Sequence, residues 1–362
     1  FSNIKDCLNL LSGIFFYFTI KLLTFASFTI NMEDIKNLLA DKKRIVITTH
    51  INPDGDALGS SIGLHCFLDK MGHEVCTIIP NDYPNYLSWM VGDEELINFS
   101  DSKSKSSKKI QESEVIFCLD FNNLSRVKDL GDLIEVSRAS KILIDHHLEP
   151  SEFYDYSIHN TSASATAELV YDLMYFMDQK LIDKKISECI YTGILTDTGS
   201  FKFPSTSSKV HRIVSDLIDR GINISKINRE IYDNNSIDKI KLIGFALSQK
   251  LEIISNGKAA YISLSRKELK DHNFKKGDTE GLVNFALSIS KVNMAVLIIE
   301  TKERIKFSFR SIGKFSVNEF AKAHFNGGGH KNAAGGSLDC KLSVALDKFL
   351  KSISKYSDKL NY

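Results

Sequence analysis

Four apolar segments of this 362-residue chain each end in side chains of the kind that bind metals. The segments and the polar residues that follow them are residues 44–49 with His50, Asp54 and Asp56, residues 115–119 with Asp120, residues 142–144 with Asp145, His146 and His147, and residues 193–196 with Asp197. Continuous apolar runs of this length predict buried strands of a parallel sheet, or a buried helix end for the fourth segment. Because the sites of such sheets lie at the carboxyl ends of the strands, we expect these side chains to converge on one edge.

A cluster of carboxylates needs a cation, because like charges in a partly dry cleft repel each other. A single aspartate after a strand is most often a turn or a helix cap, but four such ends in one chain favour a metal site. Oxygen and imidazole ligands suit manganese, iron(II), zinc or magnesium. The set is large enough for two ions, which at roughly 3.5–4 Å apart activate a water for phosphoryl chemistry. One carboxylate must then bridge them, and an aspartate at a central strand end is best placed.

The same residues resemble the four motifs of the DHH phosphoesterase superfamily. The motifs read His50-x3-Asp54-x-Asp56, Asp120, Asp145-His146-His147 and Thr196-Asp197-Thr198-Gly199. Downstream, residues 325–335 (FNGGGHKNAAG) resemble the glycine-rich signature of the DHH-associated domain. The resemblance extends from Met32 to about residue 350. In length, motif order and spacing the chain is most similar to the two-domain nanoRNase and pAp-phosphatase type.

The resemblance implies a role for each motif residue. It assigns one metal to His50 and Asp54, the second to Asp56, His146 and Asp197, and the bridge between them to Asp120. The implied catalytic group is Asp120, Asp145 and His147. In it, Asp145 orients the adjacent imidazole and His147 faces the leaving phosphate or the attacking water. The implied cofactor is Mn²⁺, two ions per chain, with Mg²⁺ or Co²⁺ as substitutes.

The resemblance also places substrate-binding groups in the second domain. Glycines expose backbone N–H groups, and an arginine can donate two hydrogen bonds to one phosphate. The implied residues are Arg310, Gly327, Gly328, Gly329 and His330. We add Ser162 and Ser164, which lie at a predicted helix start where a second phosphate could bind. Serines at that position can instead simply cap the helix, and the sequence leaves both alternatives open.

Alternating strands and helices predict an α/β fold with a doubly wound parallel sheet, followed by a smaller α/β domain. We place the DHH domain at residues 32–222, a helical linker at 223–250 and the DHH-associated domain at 251–362. Residues 100–109 are predicted to be an exposed loop, and residues 224–250 one long helix. The predicted strands of the second domain are 258–263, 294–301 and 304–310, with a hairpin at residues 302–303, a helix over 315–325 and a glycine-rich loop before a last strand near 335–338.

Residues 1–31 do not fit this pattern, because the chain begins with Phe1 and is strongly apolar from Leu8 to Ile30. That length could span a bilayer. A second interpretation is an over-extended reading frame with Met32 as the start, and a third is a packed helix. We favour the over-extension, so we expect a membrane association only if residues 1–31 are native.

Composition agrees with a cytoplasmic enzyme. The formal net charge of +1 gives no signal for binding a long polyanion, although residues 301–362 hold 12 Lys/Arg against 5 Asp/Glu. The six cysteines show no paired spacing and predict reduced thiols.

We therefore predict hydrolysis of short oligoribonucleotides to 5′-mononucleotides, and of 3′-phosphoadenosine 5′-phosphate (pAp) to AMP. The partners are short RNA and nucleotides rather than long duplexes, with closure of the second domain over one substrate end as the source of the length preference. A cyclic- or linear-dinucleotide phosphodiesterase would share every motif. A pyrophosphatase would need a basic C-terminal cluster that the chain lacks, and a RecJ-type exonuclease would need more domains. The non-enzymatic alternative is a nucleotide-sensing metal-binding module. The sequence leaves the exonuclease polarity and the oligomeric state open, a homodimer included.

Overall fold

The computed structural model describes residues 32–94 and 96–360. They form two compact units that divide between Ile231 and Tyr232, inside the segment predicted as the linker. The predicted domain limits stay predictions, and the three interpretations of residues 1–31 lie outside the described residues. Within those described ranges, no helix is both long and apolar enough to cross a membrane.

The first unit is built on a six-stranded parallel sheet with the strand order β3-β2-β1-β4-β5-β6. Its strands are β1 (Arg44–Thr49), β2 (Glu74–Ile79), β3 (Leu96–Asn98), β4 (Val115–Leu119), β5 (Ser140–Asp145) and β6 (Tyr156–His159). The order reverses between β1 and β4, and ligands bind at such switch points, outside the carboxyl ends of the strands. The doubly wound sheet predicted from the apolar runs is confirmed.

Helices cover both faces of this sheet. They are α1 (residues 32–38), α2 (Gly55–Lys70), α3 (Lys103–Glu112), α4 (Asp129–Val136), α5 (Thr166–Asp178), α6 (Lys184–Asp197), α7 (Ser208–Asp219) and α8 (Ile224–Asn228). Alternate residues of β4 enter two different cores. Phe117 packs in the core that contains residues of α2, α5, α6 and α7, and Cys118 packs in the core beneath α3 and α4. Burial on both faces explains why the strand is a continuous apolar run.

Glycines allow the backbones of α2 and α6 to approach closely. A Cβ atom added at Gly59 would lie 2.5 Å from the carbonyl oxygen of Cys189. One added at Gly193 would lie 2.6 Å from Cβ of Ala167 and 2.8 Å from Oδ1 of Asp56. Both glycines therefore allow α2 to pack closely on α6, the two helices whose first and last turns hold the predicted ligands Asp56 and Asp197.

The second unit is a mixed six-stranded sheet with the order β11-β12-β10-β9-β8-β7, in which β8 and β9 are parallel and the other neighbours antiparallel. Its elements are α9 (Ile237–Gln249), β7 (Leu251–Ile254), β8 (Ala259–Leu264), α10 (Arg266–Asp271), α11 (Leu282–Leu287), β9 (Met294–Glu300), β10 (Ile305–Ser311), α12 (Val317–His324), β11 (Gly328–His330), β12 (Ala333–Leu338) and α13 (Leu342–Ser354). The predicted hairpin is confirmed, since the Thr301 amide donates to the Arg304 carbonyl across the turn at 2.9 Å.

Three local predictions are wrong. Residues 100–109 are not a loop, because α3 forms there and buries Ser106 and Ile110, four residues apart, against the first unit. Residues 224–250 are not one helix: a π-helical turn follows α8, and after residues 234–235 a new helix begins with Ser236 as its N-cap. The glycine-rich segment is not only a loop, because β11 pairs with β12 within it.

Candidate metal centre

The predicted metal ligands of the first unit lie together at the carboxyl edge of its sheet. His50 follows β1, Asp120 follows β4, and Asp145 ends β5 and leads into His146 and His147. Asp54 is the N-cap of α2, Asp56 lies in the first turn of that helix, and Asp197 ends α6. Parallel strands bring residues that are distant in sequence to one edge, as the four apolar segments predicted.

Asp120 lies between two imidazoles. Its Oδ2 is 3.3 Å from Nε2 of His50, and its Oδ1 is 3.5 Å from Nε2 of His146. Nε2 of His50 also lies 3.8 Å from Oδ2 of Asp54. Each oxygen of the one carboxylate thus faces a different group of potential ligands, which is the arrangement of a bridging carboxylate.

The second group of potential ligands is centred on His146. Its Nε2 is 3.4 Å from Oδ2 of Asp197 and 4.0 Å from Oδ2 of Asp56. One ligand atom from each of these three residues lies within 4.8 Å of the others, and the same holds for the group formed by His50, Asp54 and Asp120. Asp120 belongs to the first group and also lies beside His146 of the second. Two such groups of three potential ligands fit a pair of cations better than a single ion.

Backbone carbonyls fix the orientation of both imidazoles. Nδ1 of His50 lies 2.8 Å from the carbonyl oxygen of Ile51, and Nδ1 of His146 lies 3.2 Å from that of Ala163. A carbonyl oxygen can only accept, so Nδ1 carries the proton in each case. Nε2 therefore faces the carboxylates, which is the usual arrangement around a metal-binding histidine.

His147 is held by a different partner. Its Nδ1 donates to Oδ1 of Asp145 at 2.7 Å, and the Asp145 side chain is fully buried. The carboxylate fixes the tautomer and directs the Nε2 side of the ring away from β5. The pair thus has the geometry of an imidazole oriented by a carboxylate.

The close packing of carboxylates and imidazoles shifts the pKa values of the cluster. Burial and the charges of Asp120 and Asp197 raise the pKa of Asp56 well above its ordinary value. Burial also opposes charge on Asp120, but the hydrogen bond with His50 and the nearby imidazoles hold its pKa below the ordinary value. Burial lowers the pKa of His50, yet the hydrogen bond with Asp120 and the charge of Asp54 outweigh it and raise that pKa to about 9. Protons and divalent cations therefore compete for the same carboxylates.

Two further residues of this edge were missed from the sequence. Thr166, the first residue of α5, donates from its amide to Asp56 and from its hydroxyl to Asp120. Arg126 lies in the turn after β4, where its carbonyl accepts from the Ile51 amide at 2.9 Å. Its half-buried side chain makes no ion pair within the described part of the chain, and its charge opposes the rise in the pKa of His50.

Ser162 and Ser164 lie just before α5, as predicted. The Ser162 amide donates to Oδ1 of Asn160 at 2.9 Å. Ser164 is buried, and both its amide and its hydroxyl donate to Oε2 of Glu168, at 2.9 and 3.0 Å. These bonds stabilise the turn that leads into α5, and the role of the two serines in phosphate binding stays a prediction.

In the second unit, the structure places Arg310 and His330 on one face of the sheet. Ala333 of β12 pairs with Arg310 on one side and with His330 on the other, and directly opposed residues point to the same face. The two side chains are therefore two strands apart, at about 10 Å. Phe307 and Phe309 occupy the opposite, buried face of β10. Arg310 and His330 thus lie on either side of the small residue Ala333, on the face of the sheet that points away from this core.

The glycine-rich segment needs glycines for a steric reason. A Cβ atom at Gly327 would lie 2.0 Å from the carbonyl oxygen of Gly335, and one at Gly329 would lie 2.5 Å from that of Ala333. Gly328 meets no backbone atom within 4 Å, so its neighbourhood is more open. Close backbone packing of β11 on β12 therefore explains two of the three glycines, and their contact with substrate stays a prediction.

Comparison with known proteins agrees with this arrangement. The DHH family, N-terminal domain, matches residues 44–194, and the DHHA1 domain matches residues 256–358. The crystal structure of an exopolyphosphatase-related protein from Bacteroides fragilis is 38% identical, has a TM-score of 0.88, and covers 92% of this chain and 98% of that chain. The chain belongs to the DHH family. The family predicted from the motif residues is confirmed.

Two other proteins extend the comparison. The bifunctional oligoribonuclease and PAP phosphatase NrnA of Bacillus subtilis is 29% identical over 81% of this chain and 89% of its own length. RecJ of Thermus thermophilus, in complex with Mn²⁺, shares the fold with a TM-score of 0.55 at 12% identity, over 91% of this chain and 55% of that chain. The predicted class, a DHH hydrolase with a phosphoesterase fold, is confirmed.

Proposed function

We propose that this DHH protein is a metal-dependent phosphoesterase that hydrolyses short oligoribonucleotides to 5′-mononucleotides and pAp to AMP. The position of Asp120 between two groups of ligands carries the proposal, because it fits the centre needed for phosphoester hydrolysis. Similarity to the Bacillus subtilis NrnA protein, a named oligoribonuclease and PAP phosphatase, supports the choice of substrates. Both reactions add water to phosphorus and break a P–O3′ bond, so one site can serve both.

The donor set suits two Mn²⁺ ions, with Mg²⁺ or Co²⁺ as substitutes. His50 and Asp54 would hold one ion, and Asp56, His146 and Asp197 the other, with Asp120 shared between them. Carboxylate oxygens and imidazole nitrogens are the ligands these metals accept, and a cation would offset the burial and the charges of Asp120 and Asp197 that raise the pKa of Asp56. When bound, two such ions supply an activated water and neutralise the charge of the phosphate.

The chain's own side chains orient the substrate around this centre. His147, held through Nδ1 by Asp145, would face the leaving phosphate or the attacking water. Arg126 offers a guanidinium to a phosphate oxygen on the His50 side. Arg310 binds a second phosphate or the terminal nucleotide, and His330 stacks on or hydrogen-bonds to the base. The small residues between Arg310 and His330 leave room for a sugar or base.

A cytoplasmic location is part of the proposal. The described cysteines, which are Cys66, Cys76, Cys118, Cys189 and Cys340, are all free thiols, as a reducing compartment allows.

The test is a substrate panel with the purified full chain and Mn²⁺. Its members are pAp, an RNA dinucleotide, a 5-mer, a 24-mer, cyclic di-AMP, pyrophosphate and linear polyphosphate. We expect rapid turnover of pAp, the dinucleotide and the 5-mer, much slower turnover of the 24-mer, and loss of all activity with a chelator. Turnover of cyclic di-AMP at the dinucleotide rate would favour the phosphodiesterase alternative. Activity restricted to pyrophosphate or polyphosphate, or nucleotide binding without turnover, would contradict the proposal.

A further inference from the structure

One residue at the N-terminus of α5, Thr166, contacts two of the proposed metal ligands. The Thr166 amide donates to Oδ2 of Asp56 at 2.6 Å, and the Ala167 amide donates to Oδ1 of the same carboxylate at 2.9 Å. The Thr166 hydroxyl donates to Oδ1 of Asp120 at 2.9 Å. Thr166 is fully buried.

Asp56 thereby caps a helix other than its own. Ala165, the N-cap residue of α5, has no side chain that can accept from the first turn. The first amides of a helix lack partners within the helix and carry partial positive charge, so they favour a carboxylate. Asp56, on α2, accepts from two of them and is fixed in position and orientation.

We propose that Thr166 is a positioning residue of the metal centre, which fixes Asp56 through its amide and Asp120 through its hydroxyl. The inference rests on the proposed metal centre, since it assigns the two carboxylates to cations. One residue would then set the separation between the bridging carboxylate and a ligand of the second cation. Oδ1 of Asp120, which accepts from Thr166, is also the oxygen that faces His146. The Thr166 hydroxyl therefore orients the lone pairs of Asp120 Oδ1, the oxygen next to the second group of potential ligands.

The first turn of α5 is itself held firmly. Glu168 is buried; its Oε2 accepts from the amide and hydroxyl of Ser164, and its Oε1 lies 3.0 Å from Nζ of Lys209 on α7. A buried carboxylate with three donors is costly to move. Thr166 can therefore act as a fixed reference for the two ligands.

The deciding experiment measures Mn²⁺ binding to the substrate-free full chain by titration calorimetry. Thr166→Val keeps the shape and the amide but removes the hydroxyl, and Thr166→Ser keeps the hydroxyl. Thr192→Val is the matched control, because the buried Thr192 hydroxyl donates to the Glu188 carbonyl within α6, at 2.8 Å. We expect Thr166→Val to raise a Mn²⁺ Kd by about 10- to 100-fold, as loss of a ligand's hydrogen-bond partner does. Thr166→Ser should restore most of the affinity, and Thr192→Val should leave it unchanged.

Turnover gives a second measurement. In Thr166→Val the Mn²⁺ concentration for half-maximal activity should rise, with an unchanged substrate KM at saturating Mn²⁺. Wild-type Mn²⁺ affinity in Thr166→Val, or an equal loss in Thr166→Ser, would overturn the inference. If Thr166→Val does not fold, Thr166→Ser against Thr166→Ala decides the same question. Intact Mn²⁺ binding without hydrolysis of any nucleotide would contradict the proposed function and leave this inference standing.

Discussion

Asp120 has an unusual backbone conformation and lies at the centre of the candidate metal site. Its φ of +63° lies in the left-handed region, which costs a non-glycine residue of the order of 1–3 kcal/mol and is concentrated at functional sites. Aspartate tolerates this region better than most residues. The Asp120 amide donates to the Ile144 carbonyl at 3.0 Å, which holds the turn against β5. The strained turn therefore directs the carboxylate across the strand ends, between His50 and His146.

Asp145 should act on catalysis through His147 and not through the metals. Asp145→Asn replaces the carboxylate with a neutral amide, which accepts more weakly from the Nδ1 proton of His147 and does not stabilise a positive charge on the imidazole. We expect kcat to fall by about 10- to 100-fold, with the Mn²⁺ content by elemental analysis unchanged. Asp155→Asn is the control, since Asp155 is exposed at the start of β6, at the opposite edge of the sheet. A wild-type kcat in Asp145→Asn would refute this role.

The raised pKa of His50 predicts opposite pH trends with and without Mn²⁺. Because its pKa in the folded chain is about 9, against about 6.5 in an unfolded chain, its contribution to stability is complete below pH 6.5 and is lost as the pH rises through 9. Chelator-treated protein should therefore lose thermal stability over that interval. Mn²⁺ affinity should instead increase, by up to about 10-fold per pH unit, because one proton must leave for each ion bound there.

Melting curves and calorimetry in buffers of different ionisation enthalpy test both trends. His50→Gln is the matched variant, and it should flatten the stability slope. An unchanged slope in that variant would show that another group titrates.

Among the helices and strands, the sequence predicted best those whose residues are buried one after another. β1 and β4 were predicted with the observed bounds, because strands buried on both faces lack the regular apolar–polar alternation of a half-exposed strand. α3 was missed because only Ser106 and Ile110 are buried in a run of lysines and serines, which hides the helical period. The break before α9 was missed because the residues on both sides of it are individually compatible with a helix.

The α2–α6 contact should be sensitive to one methyl group. Gly59→Ala places a Cβ against the Cys189 carbonyl and should lower the free energy of unfolding by about 1–3 kcal/mol. Gly244→Ala is the matched control, because a Cβ there meets no atom within 4 Å, and it should stabilise α9 by up to about 1 kcal/mol. Calorimetry gives both values, and the fluorescence of the single tryptophan, Trp89, follows the first unit. Equal effects of the two substitutions would contradict the close-packing account.

For the molecule as a whole, the sequence predicted which candidate ligands lie together but not the residues that hold them in place. His50 and Asp197 could be grouped because each of them ends an apolar run. Thr166 could not, because its bonds to Asp120 and Asp56 span 46 and 110 residues and depend on the docking of α5. Arg126 lies in a turn whose direction no sequence pattern specifies. Such contacts follow from tertiary packing alone.

The second unit should affect substrate capture and leave the metals unchanged. Arg310→Ala and His330→Ala should retain the full Mn²⁺ content. Loss of a charge-assisted phosphate contact is worth about 1.5–3 kcal/mol, so kcat/KM on pAp and dinucleotides should fall about 10- to 150-fold. The loss should be much smaller on bis-p-nitrophenyl phosphate, which needs only the metals. Arg304→Ala, at the exposed hairpin before β10, is the control. Equal losses on both kinds of substrate would place these residues in the catalytic centre.

The metal content and turnover of Asp120→Asn test the proposed two-metal centre directly. Asparagine keeps the left-handed backbone accessible but removes the charge that both groups of ligands share. We predict a loss of at least one of two Mn²⁺ ions per chain by elemental analysis, and a fall in dinucleotide hydrolysis of about 1,000-fold or more, as expected for loss of a group central to transition-state stabilisation. Asp129→Asn, an exposed substitution of the same kind, should change neither. Two bound ions with ordinary turnover in Asp120→Asn would show that Asp120 does not bridge a pair of metals.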